Sequence, residues 1–144
     1  MEVVLLGYGT VEPQGKEPRM PEIPKDPAGV AMYERIFGRP EPKDKPLSGV
    51  REFSVNHLFA NVWSRGGLSL RDRRLITIAL LAAQGRPDQL RAHLRGARLG
   101  EEPLSEDEIM ELLIHVAHYG GWAAGAGGQG IAQSVFDELA QDDS

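Results

Sequence analysis

His93, His115 and His118 are the side chains best suited to move protons in this chain, because an imidazole titrates near neutrality. His93 follows Leu90 by three residues and precedes Leu94, which sets it on the edge of an apolar stripe formed by Leu90, Leu94 and Ala97. An unpaired buried imidazole is costly, so His93 must either find partners in a core or line a cavity. His115 and His118 stand at i and i+3, one turn after Glu111. Glu-x3-His-x2-His puts three possible ligands along one helical face and admits a metal-dependent enzyme built on Glu111, His115 and His118. The spacing is not that of a His-Glu-x-x-His enzyme, and one helix needs ligands from elsewhere, so a packed or pocket-lining pair with no metal is the plainer expectation. Tyr119 and Trp122 follow directly. Two aromatic rings beside two histidines can wall an apolar pocket or simply pack a helix end.

Arg71, Arg73 and Arg74 cluster where a helix should begin. Cations there oppose the helix dipole, so a compensating anion is expected. It could be a substrate carboxylate, Asp72, or the acidic residues of a neighbour. Arg91, Arg95 and Arg98 share the helix of His93 but point mostly to other faces, as a solvated surface would. The chain has no cysteine, which removes thiol catalysis, disulfides and cysteine-bound metal. Glycines 120, 121, 125, 127, 128 and 130 do not follow a strand, so they suit helix packing better than a dinucleotide fingerprint.

Helices must position these groups. At 144 residues the chain has the size of one domain, and its net charge of -5 argues against a nucleic-acid partner. No run approaches the roughly 20 apolar residues of a membrane span, and Met1 to Leu6 is too short and too poor in basic residues for a secretory signal, so a cytoplasmic protein is expected. Composition changes near residue 47: eight of the 10 prolines and all four lysines precede it. Residues 1–46 are therefore expected to form an extended, proline-rich arm with a short helix over Ala28 to Phe37, strapped over the domain or a neighbouring subunit. Val3 to Leu6, Glu12 to Pro27 and Arg39 to Pro46 should be extended or turn-like. Residues 47–144 should form a helical domain. Its helices run from Arg51 to Ser64; from Ser69, an N-cap paired with Asp72, to Ala83; from Pro87 to Leu99; from the Ser105/Glu108 capping box to about Tyr119; and from Trp122 to Leu139. Leu75 to Ala83 is apolar except for Thr77, which predicts burial on most sides. Ala123 to Gly130 is nearly all small residues, a poor helix former, and implies a close approach by a helix or a ligand.

The segment Phe59 to Ala124 resembles the carboxymuconolactone decarboxylase family. The matching text is LSLRDRRLITIALLAAQGRPDQLRAHLRGARLG followed by SEDEIMELLIHVAHYGGWAAG. The set L-I-T-I-A, A-x-G-R, L-R-x-H and H-x-A-x-Y-x-G carries the likeness. The resemblance implies an all-α, alkylhydroperoxidase-D-like helical bundle and a homo-oligomer, trimer or hexamer, with pockets near subunit contacts. The peroxidase branch of that superfamily uses two cysteines, a histidine and a glutamate. Matched to this chain, those positions hold Arg86, Gln89, His93 and Arg74, so only the histidine is present and thiol peroxidase activity is excluded.

The resemblance to the decarboxylase branch implies a small-molecule substrate, a carboxylated unsaturated lactone or related ring compound, and no cofactor. His93 would then be the general acid, supported by His115 or His118. Arg73 or Arg74 would hold an anionic group, and Trp63, Tyr119 and Trp122 would line the pocket. A non-catalytic binding or scaffold role on the same fold is the alternative.

Overall fold

Asp26 is extended, and its side chain accepts the Ala28 backbone N–H at 2.8 Å. That cap and a proline in the first turn start α1, Pro27–Phe37. The computed structural model describes residues 22–142. The arm expected over Val3 to Leu6, and most of Glu12 to Pro27, lie outside the described residues. Ile23 pairs with Leu47 in a single antiparallel bridge. Nearby, the buried Glu41 carboxylate accepts Lys25 Nζ at 2.7 Å and pairs with Arg51. These contacts tie the two proline-rich segments to each other and to the second helix. The short helix expected over Ala28 to Phe37 is present as α1, and it is built into the interior. Ile36 is 0% exposed, and Met32 and Tyr33 are buried with it.

The second helix, α2, begins as Val50–Phe53 and continues as a π-helix over Ser54–Trp63. A single α-helix is the expectation for this sequence. Its wider winding, rare over such a length, turns Val55, Phe59, Ala60 and Trp63 into the interior. α3 (Leu70–Ala83) starts at Ser69, whose side chain accepts the Asp72 N–H at 2.9 Å. α4 covers Pro87–Leu99. α5 (Glu106–Tyr119) opens with the reciprocal Ser105/Glu108 box, at 2.8 and 3.1 Å. α6 is Trp122–Asp142. The described residues form an all-α bundle, as expected, and no helix among them is long and apolar enough to cross a membrane.

Two apolar clusters result. One joins α3 to α6 through Ile78, Leu90, Leu94, Leu113 and Val135. The other joins α1 and α2 through Met32, Ile36, Val55, Phe59 and Trp63. Gly125 shows what the small residues of α6 accomplish: a Cβ there would lie 2.6 Å from the Leu113 carbonyl oxygen, so α5 makes the expected close approach. α3 departs from expectation. Ile78 and Ala82 are buried, but Ile76 is 46% and Leu80 53% exposed. Within one chain this helix buries one face and leaves a second apolar strip open.

Candidate active site around His93

Leu90, Leu94 and Ala97 sink one face of α4 into the larger core, and this turns His93 toward the seam with the α1–α2 core. Trp63 stacks on the imidazole, with centroids 6.0 Å apart and planes at 17°. Phe37 lies 5.1 Å away at 54°. Behind Phe37, Tyr33 sits at 4.6 Å and Phe59 at 5.9 Å, which completes an aromatic wall. Neither ring nitrogen of His93 has a hydrogen-bond partner among the described residues. The residue keeps a small part of its surface open although its surroundings are densely packed. Burial first, and the charge of Arg74 second, lower the His93 pKa from 6.5 to about 4. At neutral pH the ring is therefore uncharged, with one N–H to donate and one nitrogen to accept.

That shift has a consequence for stability. The unfolded chain binds the proton near pH 6.5 and the folded chain only near pH 4, so His93 contributes stability above 6.5 that is lost as pH falls through that window. The loss should reach at most about 3 kcal/mol by pH 4. Urea unfolding from pH 7 to 4 measures it. A His93→Phe variant should lose much of the slope, and an unchanged slope would assign the effect to other groups.

Arg74 is 1% exposed. Its Nη1 donates to the Ile36 carbonyl at 2.6 Å, and its Nη2 to Arg35 at 2.9 Å and Glu101 at 2.8 Å. Its Nε also reaches the Glu101 carbonyl, at 3.2 Å. Burial lowers its pKa, and the fields of Glu102 and Glu101 oppose that. The acceptors from α1 lie at that helix's C-terminal end, where a cation is favoured. The expectation that Arg74 holds a substrate anion is thus not met by its geometry, because main-chain carbonyls take its donors. Arg73 differs. Its Nη2 donates to the Arg65 carbonyl at 3.0 Å, while its buried Nε has no partner. Arg71 pairs with Glu108. The three cations at the start of α3 are therefore dispersed rather than gathered on one anion.

His115 stacks on Tyr119, with centroids 4.7 Å apart. It lines an open, largely apolar groove of roughly 770 Å³ between α3 and α5, with Leu75, Ile76, Ala79, Leu112 and Glu111. His118 donates from Nδ1 to the Ile114 carbonyl at 2.8 Å and meets the edge of Trp122 at 6.1 Å. Tyr119 is 85% and Trp122 73% exposed. Within one chain, then, His93 and Trp63 come together, whereas His115 with Tyr119 and His118 with Trp122 form separate pairs. No three His, Asp or Glu side chains among the described residues are grouped to hold a metal ion, so the Glu111, His115 and His118 alternative lacks geometric support. Arg91 and Arg95 pair with Glu138 and Asp142 at the surface, as their positions implied, whereas Arg98 is part-buried and donates to the Leu104 carbonyl at 2.7 Å, with Glu106 at 3.4 Å.

Sequence reasoning missed Phe37, Phe59 and Tyr33. The available signal was weak: a phenylalanine just before Gly38, inside a segment assigned to an arm, and a second four residues before Trp63.

The sequence model of the carboxymuconolactone decarboxylase family matches residues 49–131. A 4-carboxymuconolactone decarboxylase from Acinetobacter baylyi is 38% identical over 89 residues, 62% of this chain and 65% of that protein. The chain therefore spans just under two thirds of that relative's length. A nitrosuccinic acid decarboxylase from Metarhizium robertsii is 26% identical over 118 residues, 82% of this chain and 79% of that protein. The matched stretch includes Trp63, Arg73, Arg74 and His93, while Phe37 precedes it.

Proposed function

Because the chain belongs to the carboxymuconolactone decarboxylase family, we propose that it is a cofactor-independent decarboxylase of a small, carboxylated, unsaturated lactone or related ring compound. The observation that carries this reading is His93: an unpartnered imidazole, neutral at pH 7, stacked on Trp63 and walled by Phe37. The names of both relatives support decarboxylation, and that of the Acinetobacter baylyi protein alone supports a lactone, since nitrosuccinic acid is open-chain. Each describes an acid with an electron-withdrawing group able to accept the electrons that a departing carbon dioxide leaves behind.

In the proposed reaction the bond from the ring to its carboxylate breaks and carbon dioxide leaves. The bonding pair passes into the unsaturated lactone, and the resulting anion takes a proton at a distant carbon from the His93 imidazolium. Neutral imidazole remains, and solvent returns the proton. Since free His93 is neutral, it must acquire that proton as the substrate binds, when the incoming carboxylate, a negative charge beside the ring, offsets the cost of burying the imidazolium and the field of Arg74. The expected kcat/KM therefore falls as pH rises through about 4, the free-protein value. The limb in kcat lies higher, because the bound anion favours the imidazolium. A pH-rate profile with no such displacement would count against His93 as the acid. Arg73, with its buried and unpartnered Nε, is the better candidate to hold an anionic group.

His115, His118, Tyr119 and Trp122 would support this site only if a neighbouring copy presents them. We propose such a homo-oligomer, a trimer or hexamer, with the open strip of α3 as one of its contacts. The apolar Ile76 and Leu80, exposed on one chain, support it. A double variant, Ile76→Glu with Leu80→Glu, should lower the mass measured by light scattering to that of a monomer. An unchanged mass would place the contact elsewhere.

The reading is tested by incubating the purified protein with 4-carboxymuconolactone and following carbon dioxide and the enol-lactone product. Turnover is expected. Its absence from a folded sample would remove this substrate and favour a binding role.

A further inference from the structure

Arg74 reaches from the start of α3 to the two elements that frame His93. It bonds the Arg35 and Ile36 carbonyls at the end of α1 and the Glu101 carbonyl just beyond α4. Phe37 is the next residue after Ile36, and its ring is the one 5.1 Å from the imidazole. Gly96, three residues beyond His93, permits the approach: a Cβ there would lie 2.6 Å from the Ile36 carbonyl oxygen and 3.2 Å from Phe37 Cα. Gly100 makes room for the guanidinium itself, since a Cβ at that position would fall 2.3 Å from Arg74 Nη2.

The charge of Arg74 is also unusual in its setting. Each hydrogen bond it donates among the described residues ends on a main-chain carbonyl, and no carboxylate touches it. The nearby Glu101 carboxylate binds Arg35, and that of Glu102 accepts the Arg71 backbone N–H. Of the elements packed around His93, α1 contributes Phe37 with the Tyr33 phenol behind it, and α2 contributes Trp63. On α4 itself, Arg91, Arg95 and Arg98 are paired with Glu138, Asp142 and Glu106.

We propose that Arg74 is a positioning residue for His93: it fixes the Phe37 wall against the imidazole and keeps a fixed positive charge beside it. A cation so placed disfavours a second positive charge and adds to the larger effect of burial, the two together lowering His93 to about 4. This inference rests on the reading of His93 as the reacting group, but its test needs no substrate, so the two can fail separately.

The test follows the His93 ring protons by NMR through a pH titration of the full-length protein and two variants. Arg74→Lys keeps the charge, but one ammonium cannot span three carbonyls. The Phe37 contact should loosen, and the ring signals should lose part of the upfield displacement that Phe37 and Trp63 impose, while the midpoint stays low. Arg74→Met removes the charge as well, and its midpoint should rise but stop short of the ordinary histidine value, because burial, the larger cause of the lowering, remains. Wild-type ring shifts in Arg74→Lys would overturn the positioning role, even if the methionine variant does not fold. A wild-type midpoint in folded Arg74→Met would overturn the electrostatic one.

Discussion

Replacing Arg74 with methionine is expected to destabilise the fold by about 3–5 kcal/mol, because the buried Ile36 carbonyl left without a donor costs about 1–3 kcal/mol and the lost charge-assisted bond to the part-buried Glu101 carbonyl adds about 1.5–3 kcal/mol. The Arg35 carbonyl keeps the Glu101 backbone N–H at 2.8 Å, but the Ile36 and Glu101 carbonyls lose the donors that Arg74 supplies. Methionine is close to the arginine stem in volume, so packing alone should change little. A loss of this size is a large part of the roughly 5–15 kcal/mol that holds a domain folded. It should lower the thermal midpoint by on the order of 10–20 °C. Arg74→Lys should fall between the two, since it supplies one compact donor group in place of a planar fork. Urea unfolding of the three proteins at pH 7 is the measurement. An unchanged midpoint in Arg74→Met would mean that water or a backbone shift satisfies those carbonyls.

The helical organisation was legible because its signals are local. Ser69, Pro87 and the Ser105/Glu108 box each mark a start through a bond or ring constraint within the first turn, and the helices begin where those residues stand. The stripe Leu90, Leu94, Ala97 identified the buried face of α4, and with it the position of His93 on its edge. Contacts between distant segments were not legible. Adjacency groups Arg74 with Arg71 and Arg73, yet successive residues on a helix point in different directions. The three guanidinium groups consequently meet a set of carbonyls, a carboxylate and one turn carbonyl. Phe37 sits 56 positions before His93, and nothing in its neighbourhood announces that Gly96 and Gly100 make a notch for the end of α1. The π-helical winding of α2 also has no pattern in the residues that would distinguish it from an α-helix. The apolar run Leu75 to Ala83 was legible as composition but not as partner, because a sequence shows that a face must be covered without showing by what.

Replacing His93 with glutamine is expected to leave the fold intact and to remove most of the catalysis. Glutamine is polar and neutral, as the imidazole is at pH 7, and nothing among the described residues depends on a bond from the ring. What it cannot do is carry and release a proton. Losing a positioned proton-transfer group costs about 10²- to 10⁴-fold in rate. The loss should fall on kcat, because Trp63 and Phe37 still wall the site. The decisive measurement is the rate of carbon dioxide release from 4-carboxymuconolactone by the wild-type protein and by His93→Gln at equal concentrations of folded protein. Rapid release by the wild type, with a variant slower by about 10²-fold or more, is the predicted result. Equal rates from the two proteins would contradict the assignment of the reaction to His93.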